Sequence, residues 1–106
     1  MLISASLLPL SASAHADMSV FVCSFHSDQT VRFNLRVDFE RSTLTYQYQG
    51  NSTPYRATIT SNYIEFAGGI QRTRVDRLNG DFTVWNTAGK NTGSGSCLET
   101  DGIVIR

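Results

Sequence analysis

Residues 30–40, TVRFNLRVDFE, alternate apolar and polar side chains without a break. The apolar positions are Val31, Phe33, Leu35, Val37 and Phe39. Successive side chains on a strand point to opposite faces of a sheet, so this segment has one apolar and one charged face. A helical repeat would distribute the same side chains around its axis. We therefore predict a long strand of an antiparallel sheet that is covered on one face only.

The rest of the chain repeats this pattern in shorter segments that are separated by turn formers. We predict further strands at residues 18–26, 43–49, 55–60, 63–67, 70–77, 81–86 and 96–100, and a short apolar strand or tail at 102–106. Residues 50–54 and 88–95 are rich in Gly, Asn, Ser and Thr, and we predict that both are loops. We expect tight turns at Gly68-Gly69 and at Asn79-Gly80.

About eight short strands and no helical window predict an all-β fold. We favour a small antiparallel up-and-down barrel over a sandwich, because closure removes the exposed edges of so small a sheet. Trp85 lies on the opposite face from Phe82 and Val84, so one of these two faces is outside. We expect the other bulky inward side chains to fill the interior, which counts against a cavity. These are Phe21, Phe25, Phe33, Leu35, Val37, Phe39 and Leu44.

The N-terminus has the pattern of a signal peptide. Residues 1–10 are apolar and uncharged, residues 11–16 are mostly small, and Ala14 and Ala16 form an A-x-A cleavage site. We predict a signal peptide at 1–16 and a single β-barrel domain at 17–106, periplasmic or secreted in a bacterium after cleavage near Ala16. The segment has no Lys or Arg at its start, so either the true start lies upstream or the signal is unusual. A disordered apolar tail is the alternative. The segment is too short for a transmembrane helix.

The two cysteines, Cys23 and Cys97, lie near opposite ends of the predicted domain. In an exported chain an even number of cysteines predicts a disulfide. A metal site and a reactive thiol are the alternatives. The predicted domain has a single histidine, His26, and no C-x-x-C pair, which is a poor zinc set. We predict no metal and no cofactor.

The charge is balanced, with nine Lys+Arg and nine Asp+Glu, which argues against nucleic acid as a partner. Arg72, Arg74 and Arg77 form the main basic cluster. We expect these side chains to pair across strands with Glu65 and Asp81. The alternative is that they bind a carboxylate or phosphate of a partner.

Ser24, His26 and Asp28 supply the residue types of a hydrolytic triad. They lie at alternate positions of one strand, where side chains point in parallel and do not converge on one atom. We therefore predict no catalytic residues and no enzymatic activity.

Residues 75–82, VDRLNGDF, followed by Gly95-Ser96-Cys97, resemble the "IDRxTG…GxC" ending of small exported bacterial proteins with a single disulfide. Most proteins of that group are uncharacterised. Val75 replaces the Ile of that pattern, and Asn79 replaces its Thr.

The N-terminal half is similar to the start of the periplasmic C-type lysozyme inhibitors of the MliC kind. The similar segments are Phe21-Val22-Cys23, Val31-Arg32-Phe33 and Thr43-Leu44. The resemblance implies a small β-barrel with a disulfide near the chain ends. The inhibitory loop of that family carries Ser-Gly-x-x-Tyr. Here Ser52-Thr53-Pro54-Tyr55 has no Gly, so no inhibitory residues are assigned from it.

Exposed aromatic and arginine side chains are the candidates for contact with a partner. We predict a partner-binding set of Asn51, Ser52, Thr53, Tyr55, Arg72, Arg74 and Trp85. The favoured function is a monomeric binding module, an inhibitor of or adaptor to another periplasmic protein. The alternatives are a carrier of a small apolar ligand and a structural envelope protein.

Overall fold

A computed structural model describes residues 18–68 and 71–100, which form eight antiparallel strands in a closed barrel. The strands are β1 Met18–Phe25, β2 Arg32–Asp38, β3 Thr43–Tyr48, β4 Asn51–Ile59, β5 Tyr63–Gly68, β6 Gln71–Asp76, β7 Asp81–Asn86 and β8 Asn91–Thr100. Each strand pairs with the next, and β8 returns to β1. The predicted all-β up-and-down barrel is confirmed. The predicted signal peptide, the segment 102–106 and Gly69 of the predicted turn lie outside the described residues.

The alternation of apolar residues determines which face of each strand points inward. In the register, Phe33 lies opposite Cys23, Leu35 lies opposite Tyr46, and Val75 lies opposite Phe82. The inward positions form one core. Its buried members are Phe21, Cys23, Phe33, Leu35, Val37, Leu44, Ile64, Phe66, Val75, Phe82, Val84 and Cys97. Phe82 and Val84 therefore occupy the inner face of β7, and Trp85 lies outside.

The first and last strands are joined by a disulfide. Cys23 on β1 lies directly opposite Cys97 on β8, and their sulfur atoms are bonded. Both residues are buried inside the barrel. The predicted disulfide is confirmed, and it fixes the junction at which the sheet closes.

The predicted loop at 50–54 is wrong, because β4 begins at Asn51. The turn before it consists of Gln49 and Gly50, both with positive φ. Pro54 has no backbone N–H, and the strand tolerates it because its nitrogen faces away from the pairing with β3. The amide of Ala57 donates to Ser42 O, towards β3, so by alternation the nitrogen of Pro54 faces the β5 side. The pairing with β5 covers only 57–59, so Pro54 removes no ladder hydrogen bond.

The predicted loop at 88–95 is also wrong in its second half, because β8 begins at Asn91. Its inward positions include Gly93 and Gly95, which lie opposite Val84 and Phe82. A Cβ at Gly95 would lie 2.5 Å from Cε2 of Phe82, so the phenylalanine ring occupies the space above the glycine. Glycine carries no apolar side chain, so a strand with glycines on its inner face shows no alternation in the sequence.

The two ends of the barrel differ. At the lower end, where β2, β4 and β6 finish, the Arg77 guanidinium lies 4.8 Å from the centre of the Phe39 ring. Its Nη1 donates to Thr60 O at 2.7 Å. The expected pairing of the arginine cluster with Asp81 is not found among the described residues. Arg77 instead contacts Phe39 and Thr60 at the lower end, and the upper end holds a cavity.

Candidate functional site

A cavity of about 270 Å³ lies inside the upper end of the barrel, where β1, β3, β5 and β7 finish. It is lined by Phe25, Phe33, Tyr46, Tyr55, Phe66, Gly68, Gln71, Thr73, Val84 and Thr92. The prediction that side chains fill the interior is therefore wrong at this end. The bulky residues come from β1 to β5, whereas β8 presents Gly93 and Gly95 inward and β6 presents Thr73. The small Thr73 leaves space unfilled on the β6 side, whereas the rings of Phe25 and Phe82 occupy the space in front of Gly93 and Gly95.

One wall of the cavity is continuously aromatic and crosses β1 to β5. The rings of Phe33 and Tyr46 stack with their centres 5.1 Å apart, and Phe25 lies 5.7 Å from Phe33. Phe66 extends the wall, 6.3 Å from Tyr46 and 5.3 Å from Tyr55. These separations are within the range of favourable aromatic pairs. The wall therefore offers ring faces and edges to whatever enters the cavity.

The opposite wall, from β6 to β8, has no aromatic ring and carries three uncharged polar side chains. It consists of Gln71, Thr73, Val84 and Thr92. Thr92 donates to Val84 O at 3.4 Å, whereas the Thr73 hydroxyl makes no hydrogen bond to any residue that the structure describes. Tyrosine is the only titratable residue type in the lining, so the cavity presents no charged side chain at neutral pH. The cavity can therefore accept a neutral molecule and offer hydrogen bonds from one side.

Tyr55 closes the gap between β4 and β5 above Ala57, where their pairing stops. Its ring lies across Gly68, because a Cβ at that glycine would lie 2.6 Å from Cζ of the tyrosine. Gly68 is therefore needed for the ring to take this position. Tyr55, predicted to bind a partner at the surface, is half-buried and lines the cavity.

The phenol of Tyr46 is held in its neutral form. Burial raises the pKa of Tyr46, and the neighbouring phenols of Tyr48 and Tyr55 raise it further. The hydroxyl therefore stays protonated at neutral pH and can donate a hydrogen bond.

Asn51, Ser52 and Thr53 lie together at the exposed end of the β3–β4 hairpin. Pairing of β2 with β3 reaches only Asn34 and Gln47. Because β4 also pairs with β5 only at 57–59, this hairpin end lies beyond the pairing with both neighbouring strands. We call residues 48–54 the hairpin end. Three residues of the predicted partner-binding set are brought together here.

Arg72, Arg74 and Trp85, the remaining members of that set, lie on the outer face of β6 and β7. The Arg72 guanidinium lies 4.7 Å from the centre of the Trp85 ring. Arg74 lies 3.9 Å from the centre of the Tyr63 ring and forms a 2.6 Å ion pair with Glu65. The expected pairing of this cluster with Glu65 is confirmed.

Asp28 holds the turn between β1 and β2. Its Oδ1 accepts hydrogen bonds from the amide of Thr30 at 3.0 Å and from the Thr30 hydroxyl at 2.6 Å. Both bonds lower the pKa of the Asp28 carboxyl. The turn therefore accounts for the presence of Asp28 near Ser24 and His26.

Comparison of the chain with protein-family models, with curated proteins and with solved structures finds no match. No helix among the described residues is long and apolar enough to cross a membrane. Nor do the described residues contain a group of three or more His, Cys, Asp or Glu side chains that could hold a metal ion. The fold and the site together define a small disulfide-linked antiparallel β-barrel with an aromatic cavity at one end.

Sequence reasoning missed most of the cavity. Phe25 and Phe33 were predicted to point inward, but Gln71, Thr73 and Thr92 gave no signal because polar residues at inward positions resemble a solvated face. Gly93 and Gly95, two residues apart, share one face of their strand and indicate a close approach of neighbouring rings, not a cavity.

Proposed function

We propose that this protein is a binding module that holds a small, neutral, aromatic molecule in the cavity at the upper end of the barrel. The single observation that carries the proposal is the cavity itself, with a continuous aromatic wall facing a polar wall. The sequence-based prediction put protein binding first and a carrier function second. The cavity reverses that order, since binding sites for small molecules are concave, mostly apolar and supplied with a few polar groups.

The dimensions of the cavity limit the ligand. An apolar cavity of about 150 Å³ holds one benzene ring. A volume of about 270 Å³ therefore has room for a two-ring aromatic molecule. A charged group would lose its hydration without an ion-pair partner in this lining, which disfavours charged ligands.

We propose further that the protein works outside the cytoplasm, in the periplasm or as a secreted protein. The disulfide supports this location, because such bonds persist in oxidising compartments and are rare in the cytosol. Binding without catalysis fits the site, in which the lining supplies hydrogen bonds and ring faces.

Calorimetric titration of the oxidised protein with indole, quinoline and naphthalene tests the proposal. We expect saturable binding of at least one of these probes. Quinoline and indole should bind more tightly than naphthalene, because they can form a hydrogen bond with the polar wall. Absence of saturable heat for all three probes up to their solubility limits would overturn the proposal.

Two substitutions locate the binding in the cavity. Val84→Phe adds ring volume inside it and should weaken binding at least about tenfold. Thr73→Val keeps the shape and removes the hydroxyl, so it should abolish the preference for quinoline over naphthalene. Leu78→Ala is the matched control, since Leu78 is 76% exposed and lies in the turn between β6 and β7, at the lower end. Equal binding by the Val84→Phe and Leu78→Ala variants would place the site elsewhere.

A further inference from the structure

The outer face of β4 to β7 carries an excess of positive charge near its upper end. Arg56, Arg72 and Arg74 point outward there, against the single carboxylate of Glu65. We call these four residues, with Trp85, the arginine face. The acidic residues of the same strands, Asp76 and Asp81, lie at the lower end. The chain as a whole has no net charge, so this excess reflects a separation of charges over the surface.

The three arginines are not equivalent. Arg74 is committed within the protein, because its Nε donates to Glu65 Oε1 at 2.8 Å and its guanidinium stacks on Tyr63. Arg72 forms a longer ion pair with Glu65, its Nε lying 3.7 Å from Oε2, too far for a hydrogen bond, and its side chain is 49% exposed. It donates no hydrogen bond to the residues that the structure describes. Trp85 supports its planar group from one side, which leaves the N–H donors available.

A hollow lies beside Arg72 on the same face. Ala67 lies opposite Arg72 in the β5–β6 ladder, and Arg56 precedes Ala57, which pairs with Phe66. The small side chain of Ala67 therefore separates two exposed arginines. A depression of about 280 Å³ is present here, lined by Arg56, Ala57, Thr58, Glu65, Phe66 and Ala67.

We propose that the arginine face docks a protein partner that presents carboxylate side chains. One carboxylate enters the hollow that Arg56 and Ala67 line, on the side away from Glu65, and Arg72, opposite Ala67 on β6, contacts it from the rim. Guanidinium groups bind carboxylates through paired N–H donors, and stacking on Trp85 holds Arg72 ready for this contact. Trp85 supplies the apolar anchor beside it. This proposal rests on the outer surface alone and does not depend on the ligand cavity.

Trp85 is the only tryptophan of the chain, so its fluorescence reports on the arginine face directly. The probe is a short peptide of alternating Glu and Gly, and its control is the same peptide with Gln in place of Glu. At low ionic strength we expect a saturable change in Trp85 emission with the Glu peptide only. Added salt should weaken it, because these charges are at the surface.

Variants make the assignment specific. Arg72→Gln and Arg56→Gln should each weaken peptide binding at least about fivefold, whereas Arg36→Gln, an exposed position on β2, should leave it unchanged. Circular dichroism checks that each variant is folded. Equal binding of the Gln peptide, or an equal loss with Arg36→Gln, would overturn the proposal. No response to the Glu peptide, together with a saturable response to a sulfated polysaccharide, would also overturn it and assign the face to a different partner.

Discussion

Gly95 shows how much of this barrel depends on a residue without a side chain. It lies opposite Phe82 in the β7–β8 ladder, and the phenylalanine ring occupies the space in front of it. A Cβ at this position would also contact the carbonyl oxygen of Ser24 on β1. Backbone cannot move aside as a flexible side chain can. The glycine therefore allows β8 to approach β1 while the core remains filled.

Gly95→Ala is expected to lower the free energy of unfolding by about 1–3 kcal/mol, the range for an overpacked core. Gly93→Ala is the matched control in the same strand. Its Cβ would lie 3.0 Å from the edge of the half-buried Phe25 ring, which can shift, so a smaller loss is expected. Urea denaturation of both variants measures the difference. A loss for Gly93→Ala equal to that for Gly95→Ala would contradict the argument.

Tyr46 makes stability depend on pH in the alkaline range. Its pKa in the folded protein is raised above the value near 10 that it has in the unfolded chain. The folded state thus holds the proton more tightly. The contribution of Tyr46 to stability is fully present below pH about 10 and is lost as the pH rises through the folded pKa.

Urea denaturation at pH about 8 and about 11 tests this effect. Tyr46→Phe has no proton to lose, so its stability should fall less between the two values than that of the native protein. Tyr63→Phe, a half-buried tyrosine on the outer surface, serves as the control. An equal fall in the native protein and the Tyr46→Phe variant would show that Tyr46 does not cause the pH dependence.

At the scale of the strand, alternation predicts an element only where side chains carry the signal. Residues 30–40 predict a strand because apolar and charged side chains alternate there, and β2 lies within this segment. β4 begins in a segment of Asn, Ser, Thr and Pro, and its strand structure comes from pairing with β3. β8 presents glycines inward. Both segments therefore form strands because they pair with neighbouring strands, although their local composition does not favour strand structure. The cavity was not predictable because Gln71, Thr73 and Thr92 in its lining give no apolar alternation in the sequence.

The disulfide acts on the first and last strands together. Cys23 and Cys97 are 74 positions apart and close nearly the whole described domain into one loop. In the chain-entropy model such a loop contributes about 4 kcal/mol, a large share of the stability of a small domain. The bond also lies where β1 and β8 close the sheet, so its loss weakens the one ladder that joins the two ends of the chain.

Replacement of both cysteines by alanine is therefore expected to lower the free energy of unfolding by about 4 kcal/mol. The double variant is compared with the native protein under reducing and oxidising conditions in urea denaturation. The reduced native protein should resemble the variant, and the oxidised protein should be much more stable. If reduction left the native midpoint unchanged, the disulfide would not be the source of this stability.

At the scale of the whole molecule, the described barrel has a packed core in its middle and a cavity at its upper end. The disulfide and the core residues of β1, β2 and β7 lie in the middle of the barrel. The Arg77 contacts lie at its lower end. The hairpin end, residues 48–54, lies beyond the pairing with β2 and β5. It is mostly exposed, so few contacts oppose its local opening. Access to the cavity is thus expected from the less stable end of the molecule.

Hydrogen exchange measured by NMR should show this gradient. We expect the backbone amides of the hairpin end to exchange much faster than those of Phe21 and Cys23, which lie in the strand joined by the disulfide. Addition of indole should slow exchange in the hairpin end, because Tyr46 pairs with Thr53 in that hairpin and also lines the cavity. Leu78→Ala should leave both effects unchanged. Uniform protection along the barrel, with no response to indole, would show that the upper end is as rigid as the lower one and that entry requires opening of the whole barrel.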